Sequence, residues 1–317
     1  MSKIIIIGFG SIGKRHYNNL KKLGQKDISI YDPYQKNIEK RIKTIEKINV
    51  SILQKFDIAF ICNPNNHHIS TATLSVKAGC HLFIEKPLSH SLRGVKNLSQ
   101  ICQRKKIINM IACNMRFNPC LKFIKKYLSD KKLGKIYGIH FDTGYYLPFW
   151  RPNQDYRKNY AAKKSTGGGM ILDGIHSFDL VFWLNNFAPV KKSNIIFDKT
   201  SNLKIETEDN FIAAFNFKNK TLGSVRGDYL QKSYSWTCKI VGEKGNLTWD
   251  IKENSVWLHN EKISKKIFSA KKFNPNNPYL DEIKYFLKCI KEKNSTFNDI
   301  EKASTVLKYC LKNKNIS

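Results

Sequence analysis

Apolar runs a few residues long recur through roughly the first 120 positions, each followed by a polar turn and a stretch with helical spacing. Ile4 to Ile7, Ile28 to Tyr31, Asp57 to Cys62, His81 to Ile84 and Ile107 to Cys113 read as strands. Between them, Ile12 to Leu23, Ser70 to Lys77 and Leu92 to Lys105 read as helices, the first ended by Gly24. Short, almost wholly apolar strands that alternate with helices predict a parallel sheet covered on both faces, the doubly wound α/β arrangement.

Beyond about position 120 the texture changes. A helix around 121–129 leads into an alternating run over 135–146, then a loop rich in Pro, Tyr and Arg, then Gly167-Gly168-Gly169 and a helix through Leu184. Phe211 to Phe217, Leu222 to Tyr229, Trp236 to Val241 and Leu247 to Asp250 alternate apolar with polar residues across turns at 218–220 and 242–245. That pattern predicts a mostly antiparallel open sheet. Tyr279 to Ile290 and Ile300 to Leu311 read as closing amphipathic helices. A chain of 317 residues exceeds one typical core, and the expected division is a Rossmann-like domain over 1–120 and an α+β domain over 121–317.

Composition narrows the classes of function. The eight cysteines are scattered with no Cys-x-x-Cys pair, which argues against a zinc site or a disulfide framework and for a reducing compartment. Met-Ser-Lys before Ile4 lacks the features of a signal peptide, and no apolar run approaches the roughly 18 residues of a membrane span. A cytoplasmic protein without membrane association is the expectation. The formal charge of +30 invites a nucleic-acid partner, yet only eight of the 55 basic residues are arginine, the side chain on which base-edge reading leans. The lysine excess is spread along the whole chain. It suits long-range attraction of anionic small molecules better than a nucleic-acid site.

Chemistry enters with Gly8-Phe9-Gly10-Ser11-Ile12-Gly13, which follows a strand directly and opens a helix. The glycines of a dinucleotide fingerprint allow a tight turn, close approach of backbone to pyrophosphate and close helix packing. Gly8, Gly10, Ser11, Ile12 and Gly13 are thus candidate cofactor contacts. Asp32 ends the next strand, where a carboxylate bonds ribose hydroxyls and repels a 2′-phosphate, favouring NAD over NADP. The same residue also fits an Asp-Pro turn, and Lys36 stands close enough in sequence to neutralise it in part. Asn63, Pro64, Asn65 and His68 follow another strand at the end where doubly wound sheets bind ligands, although they also read as a polar turn. Glu85-Lys86-Pro87 has the same placement, and proline holds Lys86 toward extended geometry beside the expected nicotinamide position.

After the glycine triplet, Asp173, His176 and Asp179 fall at intervals of three, which on one helix places them on a shared face. A histidine between carboxylates can be oriented and tuned for proton transfer. The bland alternative is a helix N-terminus complemented by Asp173 with a core histidine behind it. Tyr145, Trp150, Arg151, Tyr156 and Arg157 gather aromatic faces and two of the few arginines just upstream, suited to sugar rings and to phosphate or carboxylate. Bracing between domains or subunits fits the same segment.

Taken together, the glycine loop, Asn63-Pro64-Asn65-x-x-His68, Ala78-Gly79-Cys80-His81 leading to Glu85-Lys86-Pro87, Arg116-Phe117-Asn118-Pro119 and Gly167 to Asp179 resemble the glucose-fructose oxidoreductase, inositol dehydrogenase and MocA family over essentially the whole chain. The resemblance implies a nucleotide-binding first domain and a second domain whose sheet carries substrate contacts on one face and often a subunit interface on the other. It also implies catalytic roles for Lys86, His176 and Asp173, and it adds Arg116 to the candidate substrate contacts. Many members separate that aspartate and histidine by four positions, whereas here the interval is three. At about 100° per residue the missing position turns Asp173 to the other flank of His176 and makes Asp179 a candidate replacement. Trp150, Asp155-Tyr156-Arg157 and Tyr160 resemble members encoded among bacterial surface-polysaccharide genes. The implied activity is NAD-dependent hydride transfer at a sugar carbinol, needing no metal, in a homo-oligomer built through the second sheet. A lyase or glycosidase that recycles its cofactor would keep the same motifs, and a nucleotide-binding regulator would keep only the first.

Overall fold

The computed structural model describes residues 2–35, 38–270 and 272–312, so Lys36 lies outside the described residues. The chain forms two compact units. One takes the chain to Asn114 together with Asn276–Leu307, and the other runs from Met115 to Pro275 and takes the chain from Lys308.

In the first unit the order is β1 (Ile4–Ile7), α1 (Ser11–Lys22), β2 (Ile28–Tyr31), β3 (Lys43–Thr44), α2 (Val50–Leu53), β4 (Ile58–Ile61), α3 (His68–Ala78), β5 (His81–Ile84), α4 (Val95–Arg104) and β6 (Asn109–Ile111). The strands form one sheet in the order β3-β2-β1-β4-β5-β6, with every neighbouring pair parallel. Ile4 to Ile7 are 0–1% exposed, which is why this strand carries no alternation: a parallel sheet buries both faces. Ile7 pairs with Ile61 and Ile61 with Ile84, so the glycine loop, the Asn-Pro turn and Glu85-Lys86 leave three adjacent strands at the same end. Gly79, at φ 96°, ends α3 in the left-handed conformation that glycine adopts without strain.

The second unit holds α5 (Pro119–Ser129), β7 (Ile136–Gly144), α6 (Leu147–Trp150), α7 (Met170–Asp173), α8 (Ile175–Leu184), β8 (Val190–Asp198), β9 (Asn210–Phe217), β10 (Leu222–Asp228), β11 (Ser235–Gly242), β12 (Gly245–Asp250), β13 (Ser255–His259) and β14 (Ser264–Ser269). Asn118 caps α5 by accepting from the Cys120 and Leu121 amides, with Pro119 at the first position where its missing N–H is harmless. The sheet order is β14-β13-β12-β11-β7-β10-β9-β8, antiparallel except for the parallel β7–β10 pair. Phe178 and Phe182 of α8 pack on Phe211, Phe215 and Phe217 of β9 and form the core behind one face of this sheet.

The last two helices, α9 (Asn277–Glu292) and α10 (Ile300–Cys310), depart from the expected single division at position 120. Most of this segment returns to the first unit, because the backbone groups of β6 need partners at the sheet edge: Ile111 N–H donates to the Asn298 carbonyl, and Asn298 Nδ2 donates to the Ile111 carbonyl, each at 2.9 Å. Among the described residues no helix is long and apolar enough to cross a membrane.

Candidate active site

The glycine loop fits a dinucleotide on its own geometry. Gly8 sits at φ 98°, and a Cβ there would stand 2.4 Å from the Asn63 amide nitrogen. A Cβ on Gly13 would lie 2.1 Å from the Gly8 carbonyl oxygen, so only glycine lets α1 close on the loop. At Gly10 a Cβ would meet nothing within 4 Å. That open side, in front of a helix N-terminus whose cap position is the glycine itself, is where a pyrophosphate can approach. Ser11 and Ile12 form the first turn of α1.

Asp32 stands at the end of β2 and serves the backbone on both sides. Its Oδ2 accepts from the Phe9 amide at 2.6 Å, and its Oδ1 accepts from the amides of Tyr34 and Gln35 at 2.9 and 3.2 Å. The Asp-Pro turn and the tie to the glycine loop are therefore both present.

Two expected cofactor contacts take a different place. His68 is 1% exposed, with Nδ1 2.9 Å from the Pro87 carbonyl and Nε2 2.8 Å from the Asn63 carbonyl. Burial pushes its pKa down, against the pull of those carbonyls. Glu85 is 7% exposed and bonds His16 at 2.5 Å. Both side chains brace loops from within, a correction to their reading as surfaces for a ligand. Asn63 Nδ2 donates to Thr71 Oγ1 at 2.9 Å, Asn65 is buried, and Pro64 is exposed. Lys86 is half-buried, and its peptide bond to Pro87 is cis.

In the second unit the helix expected through Leu184 is two helices, broken at Gly174. With ψ at 11°, Gly174 ends α7 and starts α8, and the Ser177 amide bonds its carbonyl at 3.0 Å in a tighter i→i+3 contact. Asp173 and His176 therefore lie on different helices, and the rotation expected from their shortened spacing does not apply.

Asp173 accepts from three phenols: Tyr145, Tyr160 at 2.5 Å and Tyr229 at 3.4 Å. Burial, reinforced by the Asp173 charge, pushes the Tyr145 and Tyr229 pKa values well up and keeps both hydroxyls as donors. His176, half-buried in the first turn of α8, has its ring centroid 6.1 Å from that of Trp236.

Asp179 pairs with Arg116. Its two oxygens accept from Arg116, Nε to Oδ2 at 2.8 Å and Nη2 to Oδ1 at 2.5 Å, with Arg116 2% exposed. This fork engages both the Asp179 carboxylate, expected beside His176, and the Arg116 guanidinium, expected at the substrate, within the fold. Arg157 is likewise engaged: its guanidinium grips Asp155 through two 2.8 Å bonds, and that pairing draws the Asp155 pKa down to about 2. Tyr156 accepts from the Lys204 amide at 3.2 Å. Trp150, 47% exposed, lies with its ring 4.3 Å from Tyr145 and 5.6 Å from Tyr234, and Arg151 next to it is half-buried. Tyr229, Tyr234 and Trp236 went unassigned in the sequence, where the only signal was an aromatic near the end of a strand.

Comparison with known proteins agrees with this geometry. Residues 2–112 match the family model for the NAD-binding Rossmann fold of the GFO/IDH/MocA oxidoreductases, and residues 121–248 match the GFO/IDH/MocA C-terminal domain. The chain belongs to this oxidoreductase family, and its first domain is an NAD-binding Rossmann domain. It is 25% identical to myo-inositol 2-dehydrogenase of Thermotoga maritima, over 91% of this chain and 88% of that protein. It is similar in fold to levoglucosan dehydrogenase in complex with NADH (TM-score 0.83, 18% identity, 96% of this chain and 94% of that one). UDP-N-acetylglucosamine 3-dehydrogenase of Acidithiobacillus ferrooxidans gives a TM-score of 0.80 at 18% identity, covering 98% of this chain and 95% of that one.

Proposed function

We propose that the protein is an NAD-dependent dehydrogenase acting on the carbinol of a phosphorylated, nucleotide-linked or amino sugar in surface-polysaccharide metabolism. The observation that carries this reading is the glycine loop, open at Gly10 and closed at Gly13, on a chain that keeps Lys86 at the end of β5 and His176 at the start of α8. The relatives named for inositol, levoglucosan and UDP-N-acetylglucosamine support a polyhydroxylated substrate.

The bound dinucleotide supplies a hydride acceptor at C4 of nicotinamide. Gly10, Ser11, Ile12 and Gly13 would hold the pyrophosphate through backbone amides, Gly8, whose own amide donates to the Tyr31 carbonyl, would serve by its close approach to Asn63, Asp32 would take the ribose hydroxyls, and the Asn63-Pro64-Asn65 turn would close the site beside them. His176 accepts the hydroxyl proton as the C–H bond breaks, and the Lys86 ammonium steadies the oxygen as negative charge grows on it. Asp173, fixed by its tyrosines, is the supporting carboxylate. Trp150 offers an aromatic face to the sugar ring, and Arg151 a planar cation to its phosphate or carboxylate. Exposed Ile196, Ile212 and Leu222 on the second sheet support assembly of copies through that sheet, and eight buried free thiols support a cytoplasmic location.

A panel of sugar phosphates, nucleotide sugars and polyols with NAD, followed at the NADH absorbance band, tests the reading. One compound is expected to give net NADH, and His176→Ala and Lys86→Met to lower its turnover by about 100-fold or more. Turnover within a fewfold of the parent in both variants would overturn the roles. A converted sugar with no net NADH would identify an enzyme that recycles its cofactor.

A further inference from the structure

We propose that His16, Glu85 and His68 are positioning residues, forming a buried brace that fixes Lys86 relative to the glycine loop and the Asn-Pro turn. The inference rests on the catalytic reading of Lys86 given above.

The brace begins on α1, one turn beyond the glycine loop. His16 is fully buried, and its Nε2 meets Glu85 Oε1 at 2.5 Å. The other carboxylate oxygen, Oε2, accepts from the Lys86 amide at 3.2 Å, so one buried side chain links the helix that opens at the pyrophosphate site to the backbone of the lysine. Burial pushes the Glu85 pKa up, but the His16 bond and the charges of His16 and Lys86 outweigh it, and the carboxyl is held below its ordinary value. Glu282 of α9, fully buried in the same unit, is pushed the other way by its burial and by the Glu85 charge. The two carboxyls are thus shifted in opposite directions.

The second arm comes from α3. His68 stands with one ring nitrogen at the Pro87 carbonyl and the other at the Asn63 carbonyl, so that its neutral ring donates to one of them and packs against the other, wedged between the segment after Lys86 and the turn after β4. Lys86 is therefore held on its amide side by Glu85 and on its far side by His68. Simple stability would not require the contacts to fall on the peptide units just before and just after the Lys86-Pro87 pair, around one half-buried lysine. A long flexible cation needs this support if its ammonium is to meet a reacting oxygen, since an error of about 1 Å in placement can cost about 100-fold in rate.

The test replaces the His16–Glu85 pair by apolar residues of similar shape, His16→Phe with Glu85→Leu, because removing one partner alone would leave a buried polar group without its bond. On the NADH-bound enzyme the double variant is expected to keep its melting temperature and to bind NADH within about threefold of the parent by fluorescence titration. Amide exchange in the peptide covering 85–89 is expected to rise at least about tenfold, and kcat for the sugar found in the panel to fall about 100-fold while its KM changes little. His16→Gln, whose amide still donates to Glu85, is expected to retain most of the activity. Unchanged exchange at 85–89 would overturn the proposal, as would loss of NADH binding in step with kcat, which would assign the pair to the cofactor loop. If the double variant does not fold, His68→Gln carries the same measurements with the same expected result. Because the exchange arm needs no substrate, it stands even if no sugar is oxidised, and so separates failure of the brace from failure of the dehydrogenase reading.

Discussion

Arg116 and Asp179 are charged residues spent on the fold. Their forked contact is buried, and Arg116 also faces the rings of Trp183 and Phe187 at 5.8 and 5.2 Å. Arg116→Met would leave Asp179 buried and alone, a loss of about 3–5 kcal/mol in denaturant unfolding, and adding Asp179→Leu should recover most of it. Equal losses in the single and double variants would show that the pair is not the source. Glu282 makes a different case. One oxygen accepts from the Cys113 amide at 3.1 Å, the other has no partner among the described residues, and burial holds the carboxyl well above its ordinary pKa. A group with a raised folded pKa stabilises fully below its unfolded value and loses that contribution as pH rises through the folded one. Glu282→Gln, which imitates the protonated acid, is therefore expected to raise the melting temperature at pH 8, by about 2–4 °C for each kcal/mol, with the gain shrinking toward pH 4. A gain independent of pH would mean that Glu282 is not titrating.

At the scale of elements, the loop between β1 and α1 separates two tasks that glycine serves. Gly13 is required by packing, because its Cβ would collide with the Gly8 carbonyl, whereas Gly10 at φ −68° has an ordinary backbone and open space. Gly10→Ala is expected to leave the unliganded melting temperature within about 1 °C and to weaken NADH by at least about tenfold, while Gly13→Ala destabilises the fold itself. Calorimetric melting beside NADH titration distinguishes the two, and a Gly10→Ala protein with parental affinity would remove the pyrophosphate from that side. This part of the chain was legible in sequence because buried parallel strands are apolar throughout and the glycines stand in fixed order. The second sheet was legible only at its centre. Its edges, β8 with Lys191 and Lys192 outward and β14 reading Ser-Lys-Lys, carry the polar composition that keeps edges from pairing and so lack a clean alternation. Nor could spacing reveal the break at Gly174 or the partner of Asp179, which lies 63 residues away in sequence. A single glycine costs a helix only about 1 kcal/mol, and local context decides whether the helix ends there.

For the molecule as a whole, the unresolved quantity is what 55 basic residues against 25 acidic ones do for the reaction. Pairing accounts for little of the excess, since most of the lysine ion pairs are exposed and such pairs contribute weakly. The surplus acts instead as a field. A strongly positive surface raises the encounter rate with an anion and does nothing for a neutral molecule, and salt screens it beyond about 10 Å at 0.1 M. The substrate classes proposed here therefore separate by ionic strength. With NAD saturating, kcat/KM for a sugar phosphate or nucleotide sugar should fall about tenfold between about 10 mM and 300 mM salt, while that for a neutral polyol such as myo-inositol should move less than about twofold. Parallel decline for both would place the effect on the protein or its cofactor rather than on substrate encounter. No decline for either would leave the lysines without a part in catalysis, and the choice of substrate would then rest on Trp150 and Arg151 at short range.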